Sequence, residues 1–364
     1  MSKNLVNDLK IPRKQDFLMQ KGGKDISLYA LQNDKGMQVL ITNYGGRIVS
    51  ILTPDKNGKW DDIVLGFLTA KEYIEKDNYC YGALIGPFAN RIANASFDLN
   101  GKHYALEANN GTNHLHGGQK GFHKVVWDVV SHDDKHIELS YLLPHMSSGY
   151  PGNIRVNVTY TLHENHELEI AYNATTDATT IINLTSHPYF NLDGEGDPTV
   201  LNHVLKINAK NFTPMTSENV PDGEISPVEG TPFDFREFKK VGDEIETEND
   251  QLRYGLGYDH NFVINRGNAK EDELVMAASI YSPVSGRTLD VLTTEPAVQF
   301  YTGNTLDGVC LGKKGKPNVR RSGFCLETQH FPDSPHHDHF PSVVLQPGHS
   351  FKSVTIYRFG SVHA

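Results

Sequence analysis

The chain has 364 residues, a formal net charge of −10 and a hydrophobic fraction of 38%. This composition is typical of a globular protein with a large core. No run of lysine and arginine forms a basic patch, so we expect no nucleic acid and no membrane among its partners. The three cysteines, Cys80, Cys310 and Cys325, are too few and too scattered for a disulfide framework or a zinc knuckle. Because no apolar leader and no segment long enough to span a bilayer is present, we expect a cytoplasmic protein.

Short segments in which polar and apolar residues alternate recur along the chain, and clusters of turn-forming residues separate them. The clearest of these predicted strands cover residues 37–42, 124–130, 136–141, 154–160 and 167–172. Many short strands of this kind favour an antiparallel sandwich or barrel. No alternation of strands with helices and no glycine-rich phosphate loop is found, which disfavours a nucleotide-binding α/β fold. We therefore predict an all-β fold, organised as a single domain over residues 1–364, with residues 1–15 as a loose N-terminal arm.

Helix signals are few. Residues 69–72, Thr-Ala-Lys-Glu, have the form of a capping box and predict a short helix. A second helix of one or two turns is predicted within residues 233–240.

A β-branched run begins at residue 179 and ends at His187, directly before Pro188. Alternation along a strand places Asn183, Thr185 and His187 on one face, which therefore becomes polar toward its end. The residue before a proline is held in an extended conformation, so His187 is predicted to be a fixed strand terminus. An imidazole can give or accept a proton near neutral pH. The alternative is a histidine that only completes a buried polar network.

Glu327 stands in the middle of an otherwise apolar segment. Alternation directs Phe324 and Leu326 to one face and places Glu327 on the opposite face with Cys325 and Gln329. A carboxylate in such a strand is costly unless it is paired or has a function. A buried salt bridge is the alternative interpretation.

Four other side chains are candidates for ligand binding. Arg91 is flanked by small and apolar residues and could offer several fixed donors to ligand oxygens, with a structural ion pair as the alternative. His114 and His116 are predicted on one side of a strand, where metal binding is an alternative weakened by the lack of a nearby carboxylate. Gln299 is predicted to point from a strand face toward a cleft.

A loop rich in histidine follows at residues 335–339. Its density of imidazoles suggests zinc, but the proline-punctuated sequence favours a solvated loop without a metal.

Taken together, these segments resemble the aldose 1-epimerase family, also called the galactose mutarotase family. The matching motifs are Asn-Tyr-Gly-Gly-Arg at 43–47, Asp-Asp-Ile-Val-Leu-Gly at 61–66, Ala-Asn-Arg-Ile-Ala at 89–93, Leu-His-Gly-Gly at 115–118, Thr-Ser-His-Pro-Tyr-Phe-Asn-Leu at 185–192, Tyr-Asp-His-Asn-Phe at 258–262, Gln-Phe-Tyr-Thr-Gly-Asn at 299–304 and Cys-Leu-Glu-Thr-Gln at 325–329. One such motif would be weak evidence, whereas all of them in this order are specific. The resemblance implies a large antiparallel β-sandwich, the galactose mutarotase-like supersandwich, with a few short helices and a sugar bound in an open surface cleft.

The resemblance also implies roles for individual residues. Glu327 matches the catalytic base and His187 the catalytic acid. The residues that match those holding the sugar hydroxyls are Asn90, Arg91, His116, Asp259 and Gln299. The implied activity is the interconversion of the α and β anomers of free aldohexoses such as D-galactose and D-glucose. No metal and no other cofactor is implied, and we expect a monomer or a weak homodimer.

The chain departs from the family at Pro87-Phe88, where an arginine followed by tyrosine or valine is common. This departure leaves the neighbouring pocket wall, and with it the preferred sugar, open.

Two other functions remain as alternatives. One is a noncatalytic carbohydrate-binding protein, and the other is an epimerase of the same fold that acts on hexose 6-phosphates or maltose. A phosphate site would need more cationic side chains than Arg91 alone. For the catalytic pair we expect an ionised Glu327 beside a protonated His187 near neutral pH, because each charge favours the other.

Overall fold

Antiparallel strands make up most of the regular structure in residues 9–362, the residues that the computed structural model describes. The first fifteen strands are β1 (Met19–Lys21), β2 (Lys24–Ile26), β3 (Leu28–Gln32), β4 (Gln38–Thr42), β5 (Arg47–Pro54), β6 (Trp60–Asp62), β7 (Ala83–Ile85), β8 (Arg91–Ile92), β9 (Ser96–Leu99), β10 (Lys102–Ala105), β11 (His114–Leu115), β12 (Asp128–His132), β13 (His136–Leu143), β14 (Ile154–Leu162) and β15 (Glu167–Thr176). The later strands are β16 (Thr180–Ile181), β17 (Thr185–His187), β18 (Val204–Ile207), β19 (Ala209–Thr213), β20 (Ser226–Pro227), β21 (Lys239–Lys240), β22 (Asp259–Ile264), β23 (Val275–Tyr281), β24 (Arg287–Thr293), β25 (Ala297–Tyr301), β26 (Asp307–Leu311), β27 (Pro317–Val319), β28 (Cys325–Gln329), β29 (Val344–Leu345) and β30 (Phe351–Ser361).

Helices are short throughout this range. The α-helices are α1 (Ala70–Lys76) and α2 (Asp250–Gly255), and the single-turn 3-10 helices are Lys14–Phe17, Ala93–Ala95, Phe122–Lys124, Ser147–Gly149 and Ser334–His336. None of the helices in residues 9–362 has both the length and the apolar character needed to cross a bilayer.

The strands form three larger sheets. A nine-stranded sheet has the order β12-β13-β14-β15-β30-β24-β23-β18-β21, a five-stranded sheet the order β20-β19-β22-β25-β28, and a four-stranded sheet the order β3-β4-β5-β6. Apolar side chains from all three sheets meet in one core, for example Ile41, Leu139, Val291 and Phe300. This arrangement confirms the predicted all-β fold of large antiparallel sheets with few helices.

The capping box predicted at 69–72 is present. The Thr69 side chain accepts a hydrogen bond from the backbone N–H of Glu72 at 3.2 Å, and α1 follows it. The helix predicted within 233–240 is wrong, because Phe233 and Phe235 are buried in the core and the segment between them turns. Helix α2 begins later in the chain, after Asn249, whose side chain caps it.

The predicted strand ends are approximately correct for four of the five segments. The exception is 124–130, where a 3-10 turn ends at Lys124 and the strand begins only at Asp128. Of the predicted N-terminal arm, residues 1–8 lie outside the described residues. In its remaining part, Ile11 packs against a cluster that contains the buried Phe17.

The segment predicted as one strand from residue 179 to His187 is divided. Strand β16 pairs with β29, Asn183 bridges to Phe88, and β17 pairs with β7. Each part therefore has a different neighbour, which is why the segment does not continue as one strand. Its last part, β17, lies beside β28, the edge strand of the five-stranded sheet. These two strands carry His187 and Glu327.

Candidate active site

An open cleft of about 440 Å³ lies where β17 and β28 meet the loops around β8 and β11. A cleft of this size is within the range of small-molecule sites. Six of the seven side chains singled out by the sequence line it: Asn90, Arg91, His116, His187, Asp259 and Glu327. The seventh, Gln299, lies behind the cleft wall.

The imidazole of His187 and the carboxylate of Glu327 face each other in this cleft. Their Nε2 and Oε1 atoms are 3.5 Å apart, and both side chains are almost fully buried. The other ring nitrogen of His187, Nδ1, lies 3.4 Å from the Cys325 Sγ. Because Cys325 and Glu327 are two residues apart on β28, one face of that strand contacts both nitrogens of the ring.

Glu327 belongs to a row of polar side chains that crosses the five-stranded sheet. In the register of the strands, Asn261 pairs with Gln299, and Gln299 pairs with Glu327. The second carboxylate oxygen of Glu327, Oε2, is buried and has no hydrogen-bond partner among the described residues. Burial raises the pKa of Glu327 well above its ordinary value, Asp259 raises it further, and Arg91 acts in the opposite direction.

Burial acts on His187 in the opposite sense, because it disfavours the charged imidazolium. It lowers the pKa of His187 to about 4. A hydrogen bond of the ring to the backbone of His187 acts in the opposite direction, and the positive charge of Arg47 lowers the pKa further. The expected ion pair of Glu327 and His187 is therefore not the form that burial favours. The loss of solvation opposes the mutual attraction of the two charges: it raises the pKa of Glu327 and lowers that of His187.

Arg91 directs its guanidinium into the cleft from β8. Its Nε donates to the Asn110 side chain at 2.9 Å, and its backbone N–H donates to the Asn90 side chain at 2.9 Å. Within residues 9–362 no carboxylate forms an ion pair with Arg91. The structural ion pair considered as an alternative is therefore wrong, and the guanidinium can donate to a ligand.

A hydrogen bond fixes the tautomer of His116. Its Nδ1 accepts a hydrogen bond from the backbone N–H of Asn90 at 3.2 Å, so a neutral ring carries its hydrogen on Nε2. Burial lowers the pKa of His116 well below its ordinary value and His187 contributes to this, which keeps the ring neutral. His116 is therefore a neutral hydrogen-bond donor toward the cleft.

The prediction that His114 and His116 lie on the same face of a strand is wrong. His116 has a φ of 54°, and this left-handed conformation turns its ring away from the direction that strand alternation predicts. His114 is buried instead, with its ring nitrogens bonded to the Glu107 carbonyl at 2.7 Å and the Tyr150 hydroxyl at 2.9 Å.

A metal would require a different arrangement of protons. His116, His187 and Glu327 each offer one ligand atom, and these atoms lie within 4.8 Å of one another. A metal on Nε2 of His116 would require the ring hydrogen to be on Nδ1, where it would clash with the backbone N–H of Asn90. That N–H already donates a hydrogen bond to Nδ1, so Nδ1 cannot bind a metal either. The donor set therefore fits the binding of hydroxyl groups better than the binding of a metal ion.

Gln299, which does not line the cleft, holds the side chain of Asp259. Nε2 of Gln299 donates to Oδ1 of Asp259 at 2.7 Å, and Gln299 itself is buried. Burial raises the pKa of Asp259, while Arg91 and the hydrogen bond from Gln299 act in the opposite direction. The structure thus places Gln299 as a support for Asp259.

Sequence reasoning did not identify Arg47 as a residue of the site, although it stands in a recognised motif. Arg47 is buried, pairs with Asp77, and donates to the carbonyls of Tyr81 at 2.8 Å and His123 at 2.7 Å. It thereby joins two loops that both line the cleft. An arginine directly after two glycines was the signal that could have indicated this role.

Residues 333–339, which include the histidine-rich loop, support the strand that carries Arg91. The Asp333 carboxylate accepts hydrogen bonds from the backbone N–H of Ala93 at 2.8 Å and from His336 Nδ1 at 2.6 Å. The backbone N–H of Asp333 donates to the Arg91 carbonyl at 2.9 Å. This loop therefore fixes β8.

The departure at Pro87-Phe88 does not reach the cleft. Phe88 is buried in the core, and neither residue belongs to the cleft lining.

Comparisons with known proteins agree with this architecture. The family model described as "Aldose 1-epimerase" matches residues 27–358. The chain is 42% identical to a galactose mutarotase from Sus scrofa over 94% of its own length and 96% of the relative. It is 36% identical to an aldose 1-epimerase from Escherichia coli over 93% of its own length and 96% of that protein.

Solved structures show the same fold. A homologue of aldose epimerases from C. elegans has a TM-score of 0.86 and 33% identity, covering 93% of this chain and 100% of that one. A galactose 1-epimerase from Lactobacillus acidophilus has a TM-score of 0.82 and 28% identity, covering 95% and 97%.

The antiparallel sandwich with its polar cleft and these matches define an enzyme of the carbohydrate isomerase class. The chain belongs to the aldose 1-epimerase family.

Proposed function

We propose that this enzyme interconverts the α and β anomers of free aldohexoses such as D-galactose and D-glucose, with Glu327 as the base and His187 as the acid. The observation that supports this most strongly is the 3.5 Å separation of the two side chains within one open cleft. Relatives named galactose mutarotase, at about 40% identity, support the same assignment.

Anomer exchange requires the sugar ring to open. Ionised Glu327 takes the proton of the hydroxyl on C1 while protonated His187 gives a proton to the ring oxygen O5. The C1–O5 bond breaks, the aldehyde rotates about C1–C2, and the ring closes on its other face as the two proton transfers reverse. Each positioned acid or base is worth roughly 10²–10⁴-fold in rate.

Burial assists this opening step. Before opening, the reactive pair is charged, and after it Glu327 holds a proton and His187 is neutral. Burial raises the pKa of Glu327 and lowers that of His187, so it favours the pair that opening produces. Burial therefore stabilises the protonated Glu327 and the neutral His187 that are present beside the open-chain sugar.

The remaining polar groups of the cleft are proposed to hold the sugar. Arg91 and the neutral ring of His116 donate to hydroxyl oxygens, Asn90 and Asp259 offer further polar contacts, and Gln299 acts through Asp259. Such contacts orient the reacting bond before proton transfer, which itself contributes to the rate.

The charges around the cleft favour an uncharged sugar. Its lining includes the carboxylates of Asp77, Asp259 and Glu327 and the cationic side chains of Arg91 and Lys124. Lys124 already donates to the Gln119 side chain at 3.1 Å. A phosphate group would meet these carboxylates, so hexose 6-phosphates fit less well than free hexoses.

Polarimetry tests the proposal. Freshly dissolved α-D-galactose and α-D-glucose are mixed with the enzyme, and the approach of the optical rotation to equilibrium is followed. We expect first-order acceleration in proportion to enzyme concentration, and a smaller effect on glucose 6-phosphate. Sugar binding detected by calorimetry without any acceleration would show a noncatalytic binding protein and refute the proposal.

We further propose that residues 1–364 work as one unit in the cytoplasm, as a monomer or a weak homodimer. The free thiols of Cys80, Cys310 and Cys325 suit a reducing compartment. Light scattering at micromolar concentration measures the mass of the particle, and a tight higher oligomer would contradict this part of the proposal.

A further inference from the structure

The contact between Cys325 and the catalytic histidine has no role in the mechanism above. The Sγ of Cys325 lies 3.4 Å from Nδ1 of His187, and the thiol is completely buried. Burial raises the pKa of Cys325 well above its ordinary value, with Glu327 and Asp259 adding to this, so the group remains a thiol. A thiol is an uncharged and weak hydrogen-bond partner.

The ring of His187 has a hydrogen bond to its own backbone and, within residues 9–362, few side-chain neighbours that could contact Nδ1. The groups that face His187 from neighbouring elements are Glu327 and Cys325 of β28, Tyr301 of β25, Tyr189 after β17, His116 after β11, and Arg47 of β5. Among these, Glu327 meets Nε2, and Cys325 is the side chain within hydrogen-bond distance of Nδ1.

Proton exchange at Nε2 sets a condition on Nδ1. If Nε2 is to gain and lose a proton at each turnover, Nδ1 must carry its hydrogen throughout, because a neutral imidazole holds only one. That hydrogen needs an acceptor in a buried position. A carboxylate there would make the imidazolium more stable and a weaker acid, whereas a thiol sulfur accepts without adding charge.

We propose, resting on the function proposed above, that Cys325 is a positioning residue whose sulfur accepts a hydrogen bond from Nδ1–H of His187 and so reserves Nε2 for the catalytic proton. The i, i+2 spacing of Cys325 and Glu327 then holds the ring at both nitrogens. Cys325 itself touches neither the sugar nor the reacting atoms, since it does not line the cleft.

The first test is the tautomer of His187 in the intact enzyme. In the ¹⁵N NMR spectrum of histidine-labelled protein at neutral pH, with the signals assigned by their loss in His187→Gln, we expect a protonated Nδ1 and an unprotonated Nε2. In Cys325→Ala we expect a mixture of the two tautomers. This readout does not depend on turnover, so it decides the inference even if the sugar assignment fails. A hydrogen found on Nε2 alone in the wild-type enzyme would overturn it.

The second test is kinetic. We expect kcat of Cys325→Ala to fall by up to about 10-fold, which is the effect of losing one neutral hydrogen bond, with KM within about 2-fold of wild type because no sugar contact changes. Cys325→Ser keeps a hydrogen-bonding group and is expected to restore kcat to within about 3-fold. Cys310→Ser, on the exposed hairpin of β26 and β27, is the matched control and should have the wild-type rate.

A purely structural role makes a different prediction. Cys325→Ala would then lower the melting temperature while leaving kcat and the tautomer of His187 unchanged, and this result refutes the inference. Should the alanine variant fail to fold, the spectrum of the wild-type enzyme and the comparison with Cys325→Ser decide the question. Absence of anomer exchange in the wild-type enzyme would refute the proposed function alone.

Discussion

Glutamine in place of Glu327 keeps the size of the proposed base and removes its ability to ionise. Because one positioned base is worth about 10²–10⁴-fold, we expect kcat to fall by at least about 100-fold. Optical rotation of freshly dissolved α-D-galactose measures this loss against the spontaneous rate. A variant with the wild-type rate would refute the assignment of Glu327 as the base.

The same substitution should stabilise the fold at neutral and alkaline pH. Glu327 is 2% exposed, and its Oε2 lacks a partner among the described residues. Its folded-state pKa is raised above the unfolded value of about 4.3. Below that value the carboxyl is protonated in both states and costs nothing, and stability then falls as the pH rises toward the folded-state pKa. Each unit of this increase costs about 1.4 kcal/mol, a cost that glutamine avoids.

Thermal denaturation followed by circular dichroism, at several pH values between 4 and 8, measures this difference. The two proteins should melt together near pH 4, and Glu327→Gln should melt increasingly above the wild type as the pH rises. A variant that melts below the wild-type enzyme at pH 8 would refute the argument that burial of the carboxylate is costly.

Glu295 supplies the matched control, because it is an equally buried carboxylate with a partner. Its Oε2 lies 2.6 Å from Nδ1 of His330, and Glu295 is a factor that raises the pKa of His330. Removing one member of a buried pair costs up to about 3–5 kcal/mol. Glu295→Gln should therefore lower the melting temperature and leave anomer exchange unchanged, the opposite of Glu327→Gln in both respects.

Three further outcomes are expected. The pH profile of kcat should be bell-shaped, with activity lost below about pH 4, where His187 and Glu327 are both protonated, and lost again above the raised pKa of Glu327. A profile without an acidic or without an alkaline limb would contradict this. Arg91→Lys loses a planar set of donors and should raise KM for galactose about 10-fold with kcat less affected, and an unchanged KM would exclude a sugar contact. Asp333→Ala removes the acceptor for the Ala93 N–H and should raise KM and lower the melting temperature, whereas Asp333→Asn should retain both, as checked by polarimetry and calorimetry.

The sequence was sufficient for those features that depend on local pattern. Alternation along β28 separates Glu327 and Cys325 from Leu326, and the capping box at Thr69 starts α1. These outcomes depend on neighbouring residues only, so periodicity and capping rules predict them.

Other features depend on contacts between distant segments, and periodicity and capping rules could not predict them. The ring direction of His116 follows from a left-handed φ, and the support of Asp259 by Gln299 follows from the pairing of β22 with β25. The directions of the two pKa shifts in the pair were predicted wrongly. Attraction between opposite charges could be inferred from the two residue types, but the loss of solvation that opposes it depends on how deeply the fold buries both groups.

A row of buried polar atoms that lack hydrogen-bond partners within residues 9–362 runs from Glu327 in the cleft into the sheet behind it. Oε2 of Glu327, Oε1 of Gln299 and Oδ1 of Asn261 are all buried without hydrogen-bond partners among the described residues, and they lie on one row across neighbouring strands. Each such atom costs about 1–3 kcal/mol of stability. Glu295, which is as deeply buried but lies outside the cleft, has its partner in His330. Of this row only Glu327 lines the cleft, so a sugar hydroxyl that donates to its carboxylate would supply a partner for Oε2. Sugar binding should therefore stabilise the fold.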